Sequence, residues 1–422
     1  MRALIVPLLI GAAVVTSALV DGLPPVRGDA QVAEGSATDP KRYAPSVAAA
    51  FQDESYAPQA TATLRFFNGA PTAQLQLFRA GPERRRTFDD NEMLGVPVTQ
   101  AREIGSVDAG SIVRVRIGSW PSGVYFARLT AGDGRIGFAP FVLRPSELGE
   151  HRVAVVMPTF TWQAYNRRDD DGDGVGDSWY ADPSEDFARL YRPHLNRGVP
   201  YHFRTYDRPF LAWLVKHRKR VDFLADSDLD AVGDGASLVR AYDLVVFPGH
   251  HEYVTENEYD AIEAYRDRGG NLAFLSANNL FYRVVKHGPL LERTQKWRDL
   301  GRPEAALVGV QYIAWKRAFG RYVVRDVPAA RWLFRSTGLE PGDTFGHGGI
   351  EIDAVAPSSP RSVQVVARIR DVFGPGLHAE MTVYRTRAGA TVFAAGAFTL
   401  GGAALSPQVS QIVENLWKRL AR

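Results

Sequence analysis

Residues 244–275 read LVVFPGHHEYVTENEYDAIEAYRDRGGNLAFL, and this stretch decides the fold class. Leu244 to Phe247 and Leu272 to Leu275 are short apolar runs of the length and composition typical of buried strands. Glu256 to Arg268, which lies between them, has the pattern of an amphipathic helix. Strand, helix and strand in this order predict a right-handed βαβ unit of a parallel sheet.

The helix of this unit has clear sequence signals at both ends. Thr255 and Glu258 stand three residues apart, which is the spacing of a capping box, and Gly269-Gly270 closes the helix. The capped start places residues 248–254 between a strand and a helix. In open parallel sheets, this is the end of the strand at which ligands bind.

Further α/β signals extend over residues 151–422. Arg152 to Met157, Val363 to Ile369 and Ala390 to Ala395 have strand patterns, and Gln408 to Leu420 has a helical one. Residues 46–146 differ, because short alternating runs are separated there by Gly, Pro, Asp and Asn. This pattern predicts an immunoglobulin-like β-sandwich in front of the α/β domain.

The N-terminus predicts export. Arg2 precedes an apolar run from Ala3 to Val20, so residues 1–20 are interpreted as a signal peptide or an uncleaved membrane anchor. Residues 21–45 are rich in Gly, Pro, Ala and Ser, which favours a disordered linker. We therefore expect a secreted, periplasmic or outer-surface protein.

Composition excludes several classes of function. The sequence has no cysteine, so disulfides, thiolate metal sites and a cysteine nucleophile are absent. The net charge is only +3, and no basic block is interleaved with aromatics, which argues against a nucleic-acid partner. No Gly-x-Ser-x-Gly, Walker or His-Glu-x-x-His motif occurs in the sequence.

The polar residues after Phe247 are candidates for a site at the sheet edge. His250, His251 and Glu252 can move protons or bind a metal, and Tyr253 can supply a phenolate ligand. The alternative is that the histidines and Glu252 brace the turn and the helix start. Asn278, after the next strand, is either a catalytic residue or part of a turn.

An aspartate-rich loop predicts a calcium site. Residues 168–177 read RDDDGDGVGD, which places carboxylates at loop positions one, three, five and nine and a glycine at the sharp turn. Hard oxygens at this spacing surround one point, so we expect structural calcium rather than a solvated acidic loop. The predicted ligands are Asp169, Asp171, Asp173, the carbonyl of Val175, and Asp177.

Several ordered motifs resemble the large-subunit family of N,N-dimethylformamidase, specifically its C-terminal domain. The resemblance rests on Pro158 to Asn166, Asp207-Arg-Pro209, Gly249-His-His-Glu-Tyr253, Gly270 to Asn278, Trp297-Arg298, Arg302-Pro-Glu304, and Trp120 to Leu129 in the preceding domain. It implies a class I glutamine-amidotransferase-like α/β domain with a flavodoxin-like parallel sheet. It also implies mononuclear iron held by two tyrosines and a glutamate, with a histidine nearby.

The resemblance transfers two of these ligands to this chain. Tyr253 matches one tyrosine, and Glu292, five residues before Trp297, occupies the place of the glutamate. The second tyrosine is expected near 208–213, where this chain has Phe210, and Tyr165 and Tyr206 are the nearest substitutes.

Two functions follow as hypotheses. The first is an exported, metal-dependent hydrolase of carbon–nitrogen bonds in small amides, with iron at Tyr253 and Glu292 and with Glu351 as a further ligand from a second loop. The alternative is a noncatalytic secreted protein that binds carbohydrates or surfaces and contains structural calcium.

Overall fold

The computed structural model describes residues 45–182 and 184–421. The predicted signal or anchor, residues 1–20, and all but the last residue of the predicted linker lie outside these ranges. Within them, no helix is long and apolar enough to span a membrane.

The N-terminal part consists of strands that form two sheets. Their bounds are β1 Ala49–Phe51, β2 Ser55–Tyr56, β3 Thr61–Phe66, β4 Ala70–Arg79, β5 Val96–Pro97, β6 Arg102–Val107, β7 Ile112–Arg116, β8 Gly123–Ala131 and β9 Ile136–Leu143. One sheet has the order β1-β3-β7, and the other has the order β2-β9-β8-β4-β5, with β6 also paired to β4. Alternate residues of these strands bury a common core that includes Leu64, Phe66, Leu129 and Phe141.

The rest of the chain forms a ten-stranded mixed sheet and a smaller four-stranded one. The further strands are β10 Val153–Met157, β11 Phe187–Arg189, β12 Asp222–Ala225, β13 Leu244–Phe247, β14 Tyr253–Val254, β15 Asn271–Phe274, β16 Tyr282–His287, β17 Leu290–Lys296, β18 Gln311–Val324, β19 Thr344–Ala354, β20 Gln364–Ile369, β21 Ala379–Arg385, β22 Thr391–Ala394 and β23 Ala397–Phe398. The large sheet has the order β12-β10-β13-β15-β22-β21-β20-β18-β19-β23, and the small one has the order β11-β17-β16-β14.

The helices are short, apart from two. They are α1 Thr159–Ala164, α2 Phe203–Tyr206, α3 Arg208–Lys216, α4 Asp226–Val232, α5 Gly235–Ala241, α6 Glu256–Asp267, α7 Glu304–Val308 and α8 Pro407–Leu420, with 3-10 helices at Trp297–Leu300, Pro328–Phe334 and Gly401–Ala403. Apolar side chains on one face of the large sheet pack with α3 and α8, and those on the opposite face pack with α5 and α6.

The predicted fold class, a flavodoxin-like amidotransferase domain behind an immunoglobulin-like sandwich, is wrong. The described residues form four sheets, the largest is mixed, and helix accounts for only 21% of the structure. A flavodoxin-like domain has an all-parallel sheet, and such a sheet is covered by helices on both faces. Here β20 pairs antiparallel with β21, and β18 pairs antiparallel with β19. The sequence patterns did not predict the 14-residue β18.

The βαβ unit itself is confirmed. Strands β13 and β15 pair in parallel with Phe247 opposite Phe274, and α6 connects them. Thr255 Oγ1 accepts a hydrogen bond from the Glu258 amide, while Glu258 Oε2 accepts one from the Thr255 amide. The predicted capping box is therefore formed, and it fixes where the loop after β13 ends.

Candidate functional site

Three segments meet at the carboxyl ends of the parallel strands. Helix α1 follows β10, residues 248–252 follow β13, and residues 275–281 follow β15. Parallel register aligns these strand ends, since β13 pairs with both β10 and β15. Thr161 of α1 ties two of the segments together, because its Oγ1 accepts from the amides of Glu252 and Tyr253 at 3.2 and 3.4 Å.

Three tyrosines and a glutamate converge at this edge. The hydroxyls of Tyr165 and Tyr180 donate to Glu252 Oε2 at 2.8 and 3.1 Å. The Tyr180 hydroxyl also hydrogen-bonds to the hydroxyl of Tyr253, which accepts from Trp179 Nε1 at 3.3 Å. Tyr180 Oη thus touches both a second phenol and a carboxylate.

His250 lies between two buried glutamates. Its Nε2 is 3.3 Å from Glu252 Oε2 and 3.4 Å from Glu351 Oε2. Within the described ranges, no atom forms a well-directed hydrogen bond to His250 Nε2 or to Glu351 Oε2. We call the six residues Tyr165, Tyr180, His250, Glu252, Tyr253 and Glu351 the tyrosine–glutamate cluster.

Burial favours the neutral form of every titratable group in the cluster. It raises the pKa of Glu252 to about 7 against the opposing hydrogen bonds from the tyrosines. The pKa of Glu351 rises well above its usual value through burial and then through the nearby Glu252 charge. Burial lowers the pKa of His250 and raises that of Tyr253. Binding of a metal cation to the oxygens of Glu252, Glu351 and Tyr253 would therefore release protons from these groups, and the neutral imidazole of His250 can accept a proton.

The donor set fits a hard metal ion. Tyr180 Oη, Tyr253 Oη and Glu252 Oε2 lie in mutual contact, and phenolate and carboxylate oxygens are the ligands that ferric iron prefers. The buried His250 nitrogen and Glu351 oxygen beside them lack ordinary partners within the described residues, which is the environment expected beside an ion or a substrate.

The structure brings some of the sequence-predicted residues together and separates others. His250, Glu252, Tyr253 and Glu351 belong to the cluster. Glu292 does not, because it lies half-exposed on β17, where its carboxylate accepts from His287 Nε2 at 2.8 Å. The structure therefore does not bring Glu292, which was given a ligand role by its spacing from Trp297, to the cluster, since on β17 its side chain contacts His287.

Two other predicted residues lie at the edge of the cluster. His251 is buried, and its Nε2 donates to the Val156 carbonyl at 3.0 Å, so it holds the loop to β10. Asn278 is buried beside Glu351, where it favours the ionised carboxylate, and its backbone amide donates to Asp353 Oδ1 at 2.9 Å.

Tyr180 was missed as a site residue in the sequence, and Tyr165 appeared only as a substitute ligand. Both flank the aspartate-rich loop, Tyr165 just before it and Tyr180 just after it. Their rings stack with centroids 4.3 Å apart. The sequence did contain a signal for this pair, because one tyrosine precedes the loop and one follows it. A loop that closes around an ion brings its two ends together, and with them the two tyrosines.

The aspartate-rich loop brings three of its predicted calcium ligands close together. Asp169, Asp171 and Asp173 each offer an oxygen, and these oxygens lie within 4.8 Å of one another. Asp177 points elsewhere, because its carboxylate accepts from the Asp170 amide at 2.7 Å and pairs with the buried Arg192 at 3.3 Å.

Val175 was predicted to supply a carbonyl ligand in the same loop. Its amide donates to Asp173 Oδ1 at 2.7 Å, and its side chain is exposed. The turn around Gly174 is thus formed by the loop's own hydrogen bonds.

Comparisons with solved structures give only distant similarity. The crystal structure of a protein described as ThuA-like, from Parabacteroides merdae, aligns with 50% of this chain and 84% of its own, with 14% identity and a TM-score of 0.30. A cycloisomaltooligosaccharide glucanotransferase from Paenibacillus sp. aligns with 54% of this chain and 44% of its own, with 10% identity and a TM-score of 0.18. The structure of PhoD aligns with 88% and 98% of the two chains, with 9% identity and a TM-score of 0.23.

These TM-scores are too low to support an inference about fold or function. No curated protein matches the sequence. Residues 113–408 match the model of one protein family, which is described as N,N-dimethylformamidase beta subunit-like, C-terminal. This match spans more than half of the chain, and the chain belongs to that N,N-dimethylformamidase beta subunit-like family.

Proposed function

We propose that this protein is a metal-dependent hydrolase of small linear carboxamides. The observation that carries the proposal is the convergence of Tyr180 Oη, Tyr253 Oη and Glu252 Oε2 beside His250. Family membership supports the reaction class, because the family is described by its likeness to an amide-cleaving enzyme. The location at the carboxyl ends of parallel strands supports a catalytic edge.

Tyr180, Tyr253 and Glu252 are the residues that would hold the metal, with Tyr165 bracing Glu252 through its hydroxyl. A bound ferric ion would polarise an amide carbonyl and acidify a water molecule. Trp179 Nε1 donates to Tyr253 Oη and so orients this phenol. In this proposal Tyr253 keeps the role that the family resemblance gave it, whereas Glu252 replaces Glu292 and Tyr180 takes the place of the second tyrosine.

His250 and Glu351 are placed to move protons. The lowered pKa of His250 leaves its imidazole neutral near pH 7, so Nε2 can accept the proton of an attacking water. Glu351, whose pKa is raised by burial, holds a proton that it can give to the leaving nitrogen. Their 3.4 Å separation lets the proton return from His250 to Glu351 after each turnover.

Metal analysis of protein purified without chelators tests this proposal. We expect about one transition metal per chain, together with release of ammonia from formamide or of dimethylamine from N,N-dimethylformamide. Tyr253→Phe should lose both, whereas Tyr265→Phe should retain both. Tyr265 is a suitable control because it is equally buried and its hydroxyl donates to the Tyr242 carbonyl, away from the cluster.

Metal-free wild-type protein that turns over no amide would contradict the proposal. Glycan binding by such a protein would then favour the noncatalytic carbohydrate- or surface-binding alternative.

We also propose that the aspartate-rich loop binds calcium through Asp169, Asp171 and Asp173, whose oxygens share one small volume. Export is a further proposal, supported by the apolar run from Ala3 to Val20. Fractionation of cells that produce the full chain should find it outside the cytoplasm, and N-terminal sequencing distinguishes a cleaved signal from a retained anchor.

A further inference from the structure

A cleft of about 520 Å³ lies at the opposite edge of the large sheet from the tyrosine–glutamate cluster. Strands β10 and β12 pair in parallel, and the cluster lies beyond the carboxyl end of β10. The cleft lies at the amino ends of the two strands, because His151 and residues 218–221, which precede them, line it. The sandwich closes its other side, where the Phe223 amide donates to Ser122 Oγ at 2.7 Å. Its size is typical of a small-molecule site, and it is separate from the proposed catalytic edge.

Basic side chains line this cleft and acidic ones do not. Its basic residues are Arg79, His151, Arg218, Lys219 and Arg220, and among the described residues no Asp or Glu lines it. The chain as a whole has 50 Lys and Arg against 47 Asp and Glu, so composition does not account for this one-sided set. Lys219 is already paired, with its Nζ 2.8 Å from Glu414 Oε2. His151 Nδ1 lies 2.9 Å from Asp222 Oδ1. Positive charge that converges on a cleft attracts anions to it.

The three arginines of the cleft have no anionic partner. Within the described ranges, no hydrogen bond or ion pair reaches the guanidinium of Arg79, Arg218 or Arg220. The Arg79 guanidinium lies against the wall of the cleft, since a Cβ built on Gly123 would be 3.3 Å from Arg79 Nε. Arg218 and Arg220 are exposed. A guanidinium is weakly hydrated and pairs well with oxyanions, so these groups are available to an incoming one.

Arg218 stands where a helix end normally has glycine. Helix α3 ends in a Schellman motif, in which the Lys219 amide donates to the Leu214 carbonyl at 2.8 Å and the Arg218 amide donates to the Val215 carbonyl at 3.0 Å. This motif places Arg218 at φ 53°, in the left-handed region that is strained for a residue with a side chain. Folding alone therefore does not favour arginine here, whereas a ligand for its guanidinium does.

The cleft also offers apolar surface. Its apolar residues include Ala80, Val124, Leu211, Leu214, Val215 and Phe223. Val215 is the most open of them, with 39% of its surface exposed. An inorganic anion would leave this surface unused, and a neutral apolar molecule would leave the arginines unpaired. A ligand with an apolar body and an anionic head satisfies both.

We propose that this cleft binds a small amphipathic oxyanion, whose charged head pairs with Arg79, Arg218 and Arg220 and whose apolar body covers Val215. It is a second binding site of the protein, and it does not depend on the proposed amide hydrolysis. Octanoate is a suitable probe for it, because octanoate combines an apolar chain with one carboxylate.

Ligand-observed NMR titrations of the purified protein test the site with octanoate, octan-1-ol and acetate. We expect octanoate to bind at least about tenfold more tightly than either other probe, because only octanoate has both a charged head and an apolar chain. Added salt should weaken the binding of octanoate and leave that of octan-1-ol unchanged. Octan-1-ol or acetate that binds as tightly as octanoate overturns the proposal.

Single substitutions locate the contacts with the head and the body of the ligand. Arg79→Gln and Arg220→Gln should each weaken octanoate binding by about fivefold or more. Arg387→Gln is the control, because Arg387 is also an exposed arginine, lies between β21 and β22, and does not line the cleft. Val215→Asn should weaken octanoate binding too, whereas Val355→Asn, at a position of similar exposure, 37%, should not.

Thermal unfolding of Arg218→Gly gives a second, independent readout. This variant should have a raised Tm, because glycine adopts the left-handed conformation without strain. It should also weaken octanoate binding by about fivefold or more. A raised Tm with unchanged octanoate binding would show that the arginine serves no ligand, and would overturn the proposal.

The site and the proposed function fail separately. Amide turnover should be unchanged in the cleft variants, because the cleft lies at the sheet edge opposite the tyrosine–glutamate cluster. Octanoate binding that persists in Arg79→Gln, Arg218→Gly and Arg220→Gln overturns the site even if the wild type hydrolyses amides. Wild-type protein that binds octanoate through these arginines but turns over no amide retains the site and overturns the hydrolase.

Discussion

The ring of Tyr165 stacks on the ring of Tyr180 at a centroid separation of 4.3 Å, although the aspartate-rich loop separates the two residues in sequence. Both hydroxyls donate to Glu252. Arg192 holds the loop closed, because its guanidinium donates to the carbonyls of Asn166 and Asp177 at 2.6 and 2.8 Å. The loop that we propose for calcium thus also sets the spacing of two tyrosines in the cluster.

Substitutions of three glutamates separate metal binding from proton transfer. Glu252→Gln should lose both metal and amide turnover, because Glu252 is one of the three proposed metal ligands and its Oε2 contacts Tyr180. Glu351→Gln should retain metal and lower turnover by about 100-fold, since the proton donor is gone. Glu292→Gln should change neither quantity, because its partner is His287.

Metal content by mass spectrometry and amine release measure these effects. Loss of metal from Glu292→Gln would contradict the assignment and restore the ligand set implied by sequence spacing.

Asp207 should make stability depend on pH. Burial raises its pKa to about 8, partly opposed by the hydrogen bond from Trp162 Nε1. The unfolded carboxyl loses its proton near pH 4, so the folded state binds more protons between about pH 4 and pH 8. In that interval this group lowers the free energy of unfolding as pH rises, by up to about 1.4 kcal/mol per unit.

Asp207→Asn, which cannot ionise, should remove that contribution. Relative to wild type, the variant should gain stability as pH rises from 5 to 8, and the difference should level off above pH 8. Urea unfolding at several pH values measures it, and parallel pH profiles for the two proteins would show that Asp207 does not hold its proton.

Calcium binding should depend on the central aspartates of the loop. Asp171→Ala should abolish calcium uptake in calorimetry, because it removes one of three carboxylates that share a small volume. Asp89→Ala, at an exposed position outside the loop, is the control and should bind as wild type does. Equal uptake by both variants would exclude this loop as the site.

Calcium removal should also disturb the tyrosine–glutamate cluster. The loop connects Tyr165 to Tyr180, so a calcium-selective chelator that leaves the transition metal bound is expected to raise KM or lower amide turnover in wild type but not in Asp171→Ala. Unaltered kinetics after chelation would show that Arg192 alone maintains the spacing of the tyrosines.

Gly270 should tolerate no side chain. A Cβ at this position would lie 2.2–2.4 Å from ring atoms of Tyr265, which is fully buried on α6. Gly270→Ala should therefore lower the free energy of unfolding by about 1–3 kcal/mol. Gly69→Ala, at an exposed position where the nearest atom is 3.4 Å away, should change it by less than about 0.5 kcal/mol.

Local elements were predictable because their signals are local. The capping box at Thr255 and Glu258 and the apolar run of β13 each depend on a few neighbouring residues, and both are confirmed. The mixed sheet was not predictable in this way. Strand pattern alone does not tell whether β20 pairs parallel or antiparallel with its neighbours, and this ambiguity led to the wrong fold class.

The candidate site, like the fold, was predictable where its signals are local and not where they depend on tertiary contacts. The residue types in Gly249-His-His-Glu-Tyr253, together with their place directly after an apolar strand, are enough to indicate the site from the sequence. The role of Glu292 was inferred from its distance to Trp297 along the chain, and β17 directs that side chain to His287 instead.

The sequence by itself determined the family, the βαβ unit, and the presence of a tyrosine and a glutamate just after a parallel strand, because such motifs are contiguous. Only the tertiary structure decided which residues complete the cluster. Tyr180 reaches Tyr253 across 73 residues, and Glu351 reaches His250 from β19. Contacts of this kind arise from strand pairing and loop closure, which depend on packing across the whole sheet rather than on neighbouring residues.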